Sequence, residues 1–559
     1  MPELFAQLLH QNFAELEAAT HSWRSLAEKL GDTQTGSGKY VSGPLHKAKW
    51  AGVGADYGFA ALEATESKLG TGRINAQLIH AVLDALNTRM QESQRKLRNA
   101  VADAEEAGHT VRADGWVEPV EAVAPKYHND PDYHGVQQRA NAGLGGYRAR
   151  IEAAVTEAST LCANAAELLH QIDPFDLDKR YGADHAREDA VRVGEFLGID
   201  RKGIPDRKDP KQTADWWAGL DDEKRNMYLA AFPERLGTLD GLPTAVRDAA
   251  NRMTLDMQLN DYALRENGLG HHERHLYQSL SALKGRLDEG ETAPAEKQLY
   301  LLKYGLSKDG TAVISVGNPD TAKNTAVFVP GTSHQLDSMG GDIDRMNKLQ
   351  VAAGKRTPHG VSDVATVVWL DYNAPELDTS LSNADLSVLG ISTDERAQAG
   401  GVKLRDFTHG LRAAHQGDQP THLTVLGHSY GSTTVGAADA GGSGLGADDV
   451  VVMGSPGLTV NRADQLHTDP RHLWVGAAKD DKVSEFASGL SLGVDPKVPW
   501  FGAQQMHVDT HGHSGYWDDG SQSLGNQGRI IAGMEPENRG ADSWPAQPSY
   551  SPPVPRRWL

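Results

Sequence analysis

The stretch Val425–Thr434 reads V-L-G-H-S-Y-G-S-T-T and sets one serine between two glycines, behind an apolar run and ahead of small residues. Between a strand and a helix, this spacing makes a nucleophile turn. The turn is tight enough that side chains two before and two after Ser429 would meet the neighbouring backbone, so Gly427 and Gly431 fit there. It lifts Ser429 Oγ above the edge of a sheet and leaves the Tyr430 N–H at the positive end of a helix, where an oxyanion is stabilised. In a chain with 59 glycines the pattern alone arises by chance, so its partners decide.

A hydroxyl is a poor nucleophile at neutral pH; it needs a base, and the base needs an orienter. On this scaffold the chain order is serine, acid, histidine. The acid candidates follow H-L-W-V-G-A-A (472–478) as Lys479-Asp480-Asp481-Lys482-Val483, and the histidines lie in M-H-V-D-T-H-G-H-S-G-Y-W-D (506–518). Asp481 opens a D-x-V turn whose apolar residue packs back on the sheet, which favours it as the orienter, with Asp480 the alternative. His513 precedes the tight turn Ser514-Gly515-Tyr516 and is the expected base, with His511 the alternative. His507 and His334 read as ordinary loop histidines. A second oxyanion donor is expected from Val329-Pro330-Gly331-Thr332-Ser333, where the Thr332 N–H is the candidate. The alternation His507, Asp509, His511, His513 would share one face of an extended segment, which is a minor metal-site reading. The triad reading needs neither a metal nor an organic cofactor.

The elements that must carry these residues show in the apolar pattern. From about residue 297, short β-branched runs alternate with helical stretches: Gln298–Tyr304, Thr311–Val316, Thr325–Val329, Ala365–Leu370, His422–Leu426, Val450–Met453 and His472–Ala477. Helices are expected over Lys403–His415, Ser432–Asp439 and Gln522–Ala532. This texture predicts a mostly parallel sheet covered on both faces. Residues 1–172 read as an all-α bundle, with stripes at Leu9, Phe13, Leu16, Trp23, Leu26 and Leu30, then Ile79 to Val101, then Ile151 to Ile172. Asp114-Gly115 marks a hairpin turn. Residues 173–296 read as a helical connector packing on the sheet domain (297–540), and 541–559 as a Pro-rich, disordered tail.

With 559 residues the chain exceeds what one core usually organises. Asp and Glu outnumber Lys and Arg by 75 to 55, and the net charge of −20 argues against nucleic acid and against anchoring by charge to an anionic membrane. The single cysteine, Cys162, permits no intrachain disulfide and reads as a small core residue. No apolar run approaches the roughly 18 residues of a membrane span. The N-terminal stretch is amphipathic without a basic leader, so the expected location is cytoplasmic, or exported without a cleaved signal.

The motifs W-A-G-L (217–220), L-D-G-L-P-T-A-V-R-D-A-A-N-R (239–252), F-V-P-G-T (328–332), G-H-S-Y-G-S (427–432), G-S-P-G (454–457) and H-S-G-Y (513–516) resemble an actinobacterial family of α/β-hydrolases of mostly unassigned function. The resemblance covers about residues 210–535. It implies an α/β-hydrolase fold, Ser429 as nucleophile and His513 as base, and no particular substrate. The acid turn departs from the family's D-P-V, with Lys482 in place of proline, so Asp480 and Asp481 both stay open. Trp50-Ala51-Gly52 resembles the WxG hairpins of type VII secretion substrates, which would imply self-association or contact with secretion machinery through the N-terminal helices. The expected function is serine-dependent hydrolysis of a small-molecule ester, lipid or thioester. Two other readings fit: a catalytically silent assembly protein on a hydrolase scaffold, and an exported hydrolase toxin.

Overall fold

In the N-terminal region the stripes become the helices Pro2–His10, Ala14–Ser37, Val53–Glu106 and Leu144–Gln171. A two-stranded antiparallel hairpin, β1 (Thr110–Val111) and β2 (Val117–Glu118), joins the last two, with Gly115 at φ 85 in its turn. Phe5, Leu8, Leu97, Ala100, Ile151, Ala154 and Val155 share one buried cluster. The chain leaves the helix over residues 11–13, so the first stripe does not run through, and Leu26 stays exposed. Cys162 is exposed, contrary to its expected place in the core. The buried face of its helix belongs to Ala158, Leu161 and Ala165, and residue 162 lies about 100° round from Leu161. Its Sγ rests 3.6 Å from Met90 Sδ, and this partial burial of the sulfur in an otherwise exposed residue raises the thiol pKa.

The computed structural model describes residues 2–48, 50, 52–173, 182–207, 209–265, 268–291, 293–375, 393–481, 483 and 492–537. The expected tail (541–559) lies outside them. Two compact units form. One comprises Met1–Thr35, Ala61–Ile204 and Asp221–Phe232; the other comprises Gly36–Ala60, Pro205–Leu220 and Pro233–Leu559. In the second unit, Trp50 and Gly52 lie in the turn before the helix Val53–Glu106, with Gly52 at φ 104. The Trp50 ring lies over Gly58, where a Cβ would come within 2.3 Å of it, and its centroid is 5.5 Å from that of Phe59.

Among the described residues the second unit holds eight strands: β3 (Leu299–Gly305), β4 (Thr311–Val316), β5 (Asn324–Val329), β6 (Val364–Leu370), β7 (His422–His428), β8 (Asp449–Met453), β9 (Leu473–Gly476) and β10 (Gln504–Gln505). They form one sheet in the order β10-β9-β8-β7-β5-β6-β4-β3, parallel except at β3–β4 and β4–β6. Every residue of β6, β8 and β9 is buried, as expected for a sheet covered on both faces. The helices Met339–Gly354, Glu395–Ala414, Tyr430–Ala440 and Gln522–Ile531 pack in the same unit.

Among the described residues strand β3 pairs only with β4, so its other edge offers backbone groups without a strand partner. The 239–252 motif covers that edge. Arg247 Nε donates to Leu302 O, Asn251 Nδ2 to Leu301 O and Arg252 to Leu299 O, each at 3.0 Å, while Asp248 accepts from the Leu301 N–H at 2.6 Å. Arg247 is itself buried and paired with Asp240 at 2.9 Å. The motif's charged residues thus substitute for a missing strand.

Candidate active site

The register of the parallel strands decides which loops meet. Val329 at the end of β5 pairs with Gly427, His428 at the end of β7 pairs with Met453, Met453 pairs with Gly476, and Val475 pairs with Gln505. These strands therefore end together. The loops carrying Thr332, Ser429, Gly454, Asp481 and His513 all leave from one carboxyl edge of the sheet.

Ser429 follows β7 and caps the helix Tyr430–Ala440 with φ 52 and ψ −133. A non-glycine residue is strained there, and the neighbouring packing has to hold it. At Gly427 a Cβ would lie 2.6 Å from Ser432 Cα; at Gly431 it would lie 2.2 Å from Val329 O. Both glycines are therefore required by close backbone approach. A Cβ on Gly331 would lie 2.6 Å from Ser429 Cβ and 3.2 Å from its Oγ, so the Pro330–Thr332 loop runs directly past the serine. Ser333 in that loop has φ 59; two of the four positive-φ non-glycine residues among those described belong to these two loops. Neither the Tyr430 N–H nor the Thr332 N–H donates a hydrogen bond among the described residues. Two free donors beside the serine suit a developing oxyanion.

The two acids have different partners. Asp481 has a fully buried side chain, and its Oδ2 and Oδ1 lie 2.9 and 3.0 Å from His513 Nδ1. It also accepts from the Val483 N–H at 3.0 Å and from the Tyr516 hydroxyl. Burial by itself raises its pKa, but the bonds from His513 and Tyr516 outweigh that and hold the carboxyl below the usual range. A carboxylate on Nδ1 fixes the tautomer that leaves Nε2 free to take a proton. Asp480 is exposed and accepts from the Gly512 N–H at 2.9 Å, which lowers its pKa. His511, also exposed, lies 3.6 Å from Asp480. The Ser429 hydroxyl and the His513 ring are not hydrogen-bonded to each other among the described residues; such contacts often tighten only with substrate bound.

The alternating segment does not converge on one point. Asp509 caps the last helix by accepting from Gln522 N at 3.0 Å and Ser523 N at 3.2 Å, while His511 and His513 turn to different aspartates. No metal-holding group of three such side chains occurs among the described residues. His334 pairs with the buried Asp342 at 2.8 Å, and Asp342 also holds Arg345 at 2.7 Å. Of the apolar residues between the acid and histidine loops, Phe501 is buried and Trp500 exposed; Phe486 and Leu490 lie outside the described residues, as does Lys482.

Two contributors escaped sequence reasoning. Tyr516 donates to Asp481 and accepts from the Ala478 N–H at 3.2 Å. Gly454, at φ 55, passes so near the pair that a Cβ would lie 2.6 Å from Asp481 Oδ2 and 3.1 Å from His513 Nδ1. Both stand in motifs singled out above, H-S-G-Y and G-S-P-G, and that was the only signal.

Residues 307–491 match a family model described as alpha/beta hydrolase, a span that includes Thr332, Ser429 and both aspartates and ends before His513. The chain is similar to Uncharacterized protein Rv2079 of Mycobacterium tuberculosis (strain ATCC 25618 / H37Rv), 30% identical over 395 residues, covering 61% of this chain and 58% of the relative. The chain thus spans less than two thirds of that relative's length. It is also similar to Uncharacterized protein Rv0963c of the same strain, 29% identical over 257 residues, covering 44% of this chain and 89% of the relative. No solved structure matches it. The C-terminal region is an α/β-hydrolase domain built on the eight-stranded sheet, and a helical region precedes it. Among the described residues no helix is long and apolar enough to cross a membrane.

Proposed function

We propose that this α/β-hydrolase domain is a serine hydrolase that cleaves a carboxylic ester, lipid or thioester through an acyl-enzyme. Ser429 Oγ attacks the carbonyl carbon as His513 Nε2 takes its proton. The Tyr430 and Thr332 N–H groups hold the oxyanion of the tetrahedral intermediate. His513 then protonates the leaving alcohol or thiol. A water molecule, deprotonated by the same imidazole, attacks the acyl-enzyme and releases the acid, returning the proton to Ser429. Asp481 orients the ring and stabilises the imidazolium.

The observation that carries this reading is the buried Asp481–His513 pair at 2.9 Å, on the same sheet edge from which the strained Ser429 emerges. A silent scaffold has no use for a serine at φ 52 beside two N–H groups that donate no hydrogen bond among the described residues. The test is hydrolysis of p-nitrophenyl butyrate with mass analysis of the protein during turnover. The expected result is a butyryl adduct on the Ser429 peptide and no turnover by Ser429→Ala. Turnover that survives Ser429→Ala overturns the proposal.

A further inference from the structure

His428 stands directly before the nucleophile as the last residue of β7, and it is 5% exposed. Its Nε2 lies 2.7 Å from the backbone carbonyl of His513. Its ring lies against the His513 ring, with centroids 4.6 Å apart at 35°, and the Tyr516 and Trp517 rings cross it steeply with centroids 5.8 and 5.0 Å away. A carbonyl oxygen only accepts, so Nε2 carries the proton. Nδ1 is then the bare nitrogen, and among the described residues it is buried without a partner.

We propose that His428 is a positioning residue for the base: its Nε2–H fixes the His513 backbone and its uncharged ring supports the His513 imidazole. This rests on the serine-hydrolase reading above. Because His428 and Ser429 share a peptide bond, one strand end sets both the nucleophile and the support of its base. The His513 segment is then held at three points: the Gly512 N–H by Asp480, the ring by Asp481, and the carbonyl by His428.

The ring must also stay neutral. A second cation beside His513 would oppose formation of the imidazolium. The groups that bear on its charge are His513 and Tyr516, whose rings lie against it, and Arg345 from the helix Met339–Gly354 and His334 from the loop after β5, which both pair with Asp342. Protonating Nδ1 would add a buried donor with no acceptor within reach among the described residues. Burial first, then His513, keeps the ring's pKa well below the usual histidine value.

The test compares His428→Phe, which keeps a ring and removes the donor, with His428→Gln, which keeps a donor. Each is assayed for p-nitrophenyl butyrate turnover, for the rate of fluorophosphonate labelling, and for amide exchange over residues 506–516. Misplacing the base should cost His428→Phe on the order of 10- to 100-fold in kcat and in labelling rate, with KM changed less than about twofold. Exchange at the 506–516 amides should quicken, and His428→Gln should recover most of the rate. A folded His428→Phe that matches the wild type overturns the proposal. So does a His428→Gln as slow as His428→Phe; if the Phe variant does not fold, a folded His428→Gln that loses more than about tenfold in labelling rate overturns the proposal, and one that stays within a few-fold of wild type supports it. A wild-type protein that the probe does not label overturns the hydrolase reading itself, a result distinct from either variant outcome.

Discussion

The Tyr516 hydroxyl donates to the same Asp481 oxygen that lies 2.9 Å from His513 Nδ1. The base is thus tied through the acid to a buried tyrosine three residues further along its own loop. Tyr516→Phe should leave that oxygen one donor short and raise the Asp481 pKa. Losing a hydrogen bond to a buried charged group costs about 1–3 kcal/mol. The expected outcome is a loss of stability of that order in urea melts and a fall in kcat at unchanged KM. An unchanged kcat would show that the tyrosine is not needed to hold the acid.

Asp481→Asn should cost about 10³-fold or more in kcat, because the amide cannot replace the carboxylate on Nδ1. Asp480→Asn, which keeps an oxygen for the Gly512 N–H, should cost less than about tenfold. His513→Ala should resemble Asp481→Asn, and His511→Ala should resemble Asp480→Asn. Steady-state kinetics on the four variants decides the pairing, and the reverse order would contradict it.

Gly454→Ala should disable the site without touching a reacting group. Its Cβ would meet Asp481 Oδ2 at 2.6 Å, and its φ of 55 disfavours any side chain. A fall of more than about tenfold in kcat is expected. Gly340→Ala is the control: it is helical, nothing lies within 4 Å of its Cβ, and it should be neutral or stabilising by about 0.5–1 kcal/mol. Equal behaviour of the two variants would refute the steric argument.

The strands legible in the chain are those that are apolar and buried over most of their length. β4, β5, β6 and β8 fall within a residue of the runs that predict them. β10 carried no signal, since Gln504–Gln505 is two polar residues whose place is set by pairing with β9. Helix starts were also hidden: the helix before β7 begins at Glu395, eight residues ahead of the expected Lys403, because Gly400 and Gly401 obscure its pattern. Those glycines allow close packing instead, since a Cβ on Gly401 would meet Ala438 N at 2.8 Å. At the site, residue order pointed to Ser429, the aspartates and the histidines. Tyr516, Gly454 and His428 meet the Asp481–His513 pair through three-dimensional neighbours, which spacing does not encode.

Glu223 gives a pH test in the helical unit. Burial first, then Asp84, pushes its carboxyl up to about 7. The unfolded value is about 4.3, so between these the folded state binds the extra proton. The contribution is therefore present below about pH 4.3 and lost as pH rises through 7. Glu223→Gln should raise Tm relative to wild type at pH 8 and change it little at pH 5. An equal shift at both pH values would contradict the elevated pKa.

If Ser429 is the activated nucleophile, it should be labelled covalently by a fluorophosphonate and identified by peptide mapping. The probe reacts with a serine that has both a base and an oxyanion hole, and here only Ser429 is proposed to have them. One labelled site is expected, at Ser429, abolished in Ser429→Ala and strongly slowed in His513→Ala. A label on any other residue, or a label that persists in Ser429→Ala, would contradict it.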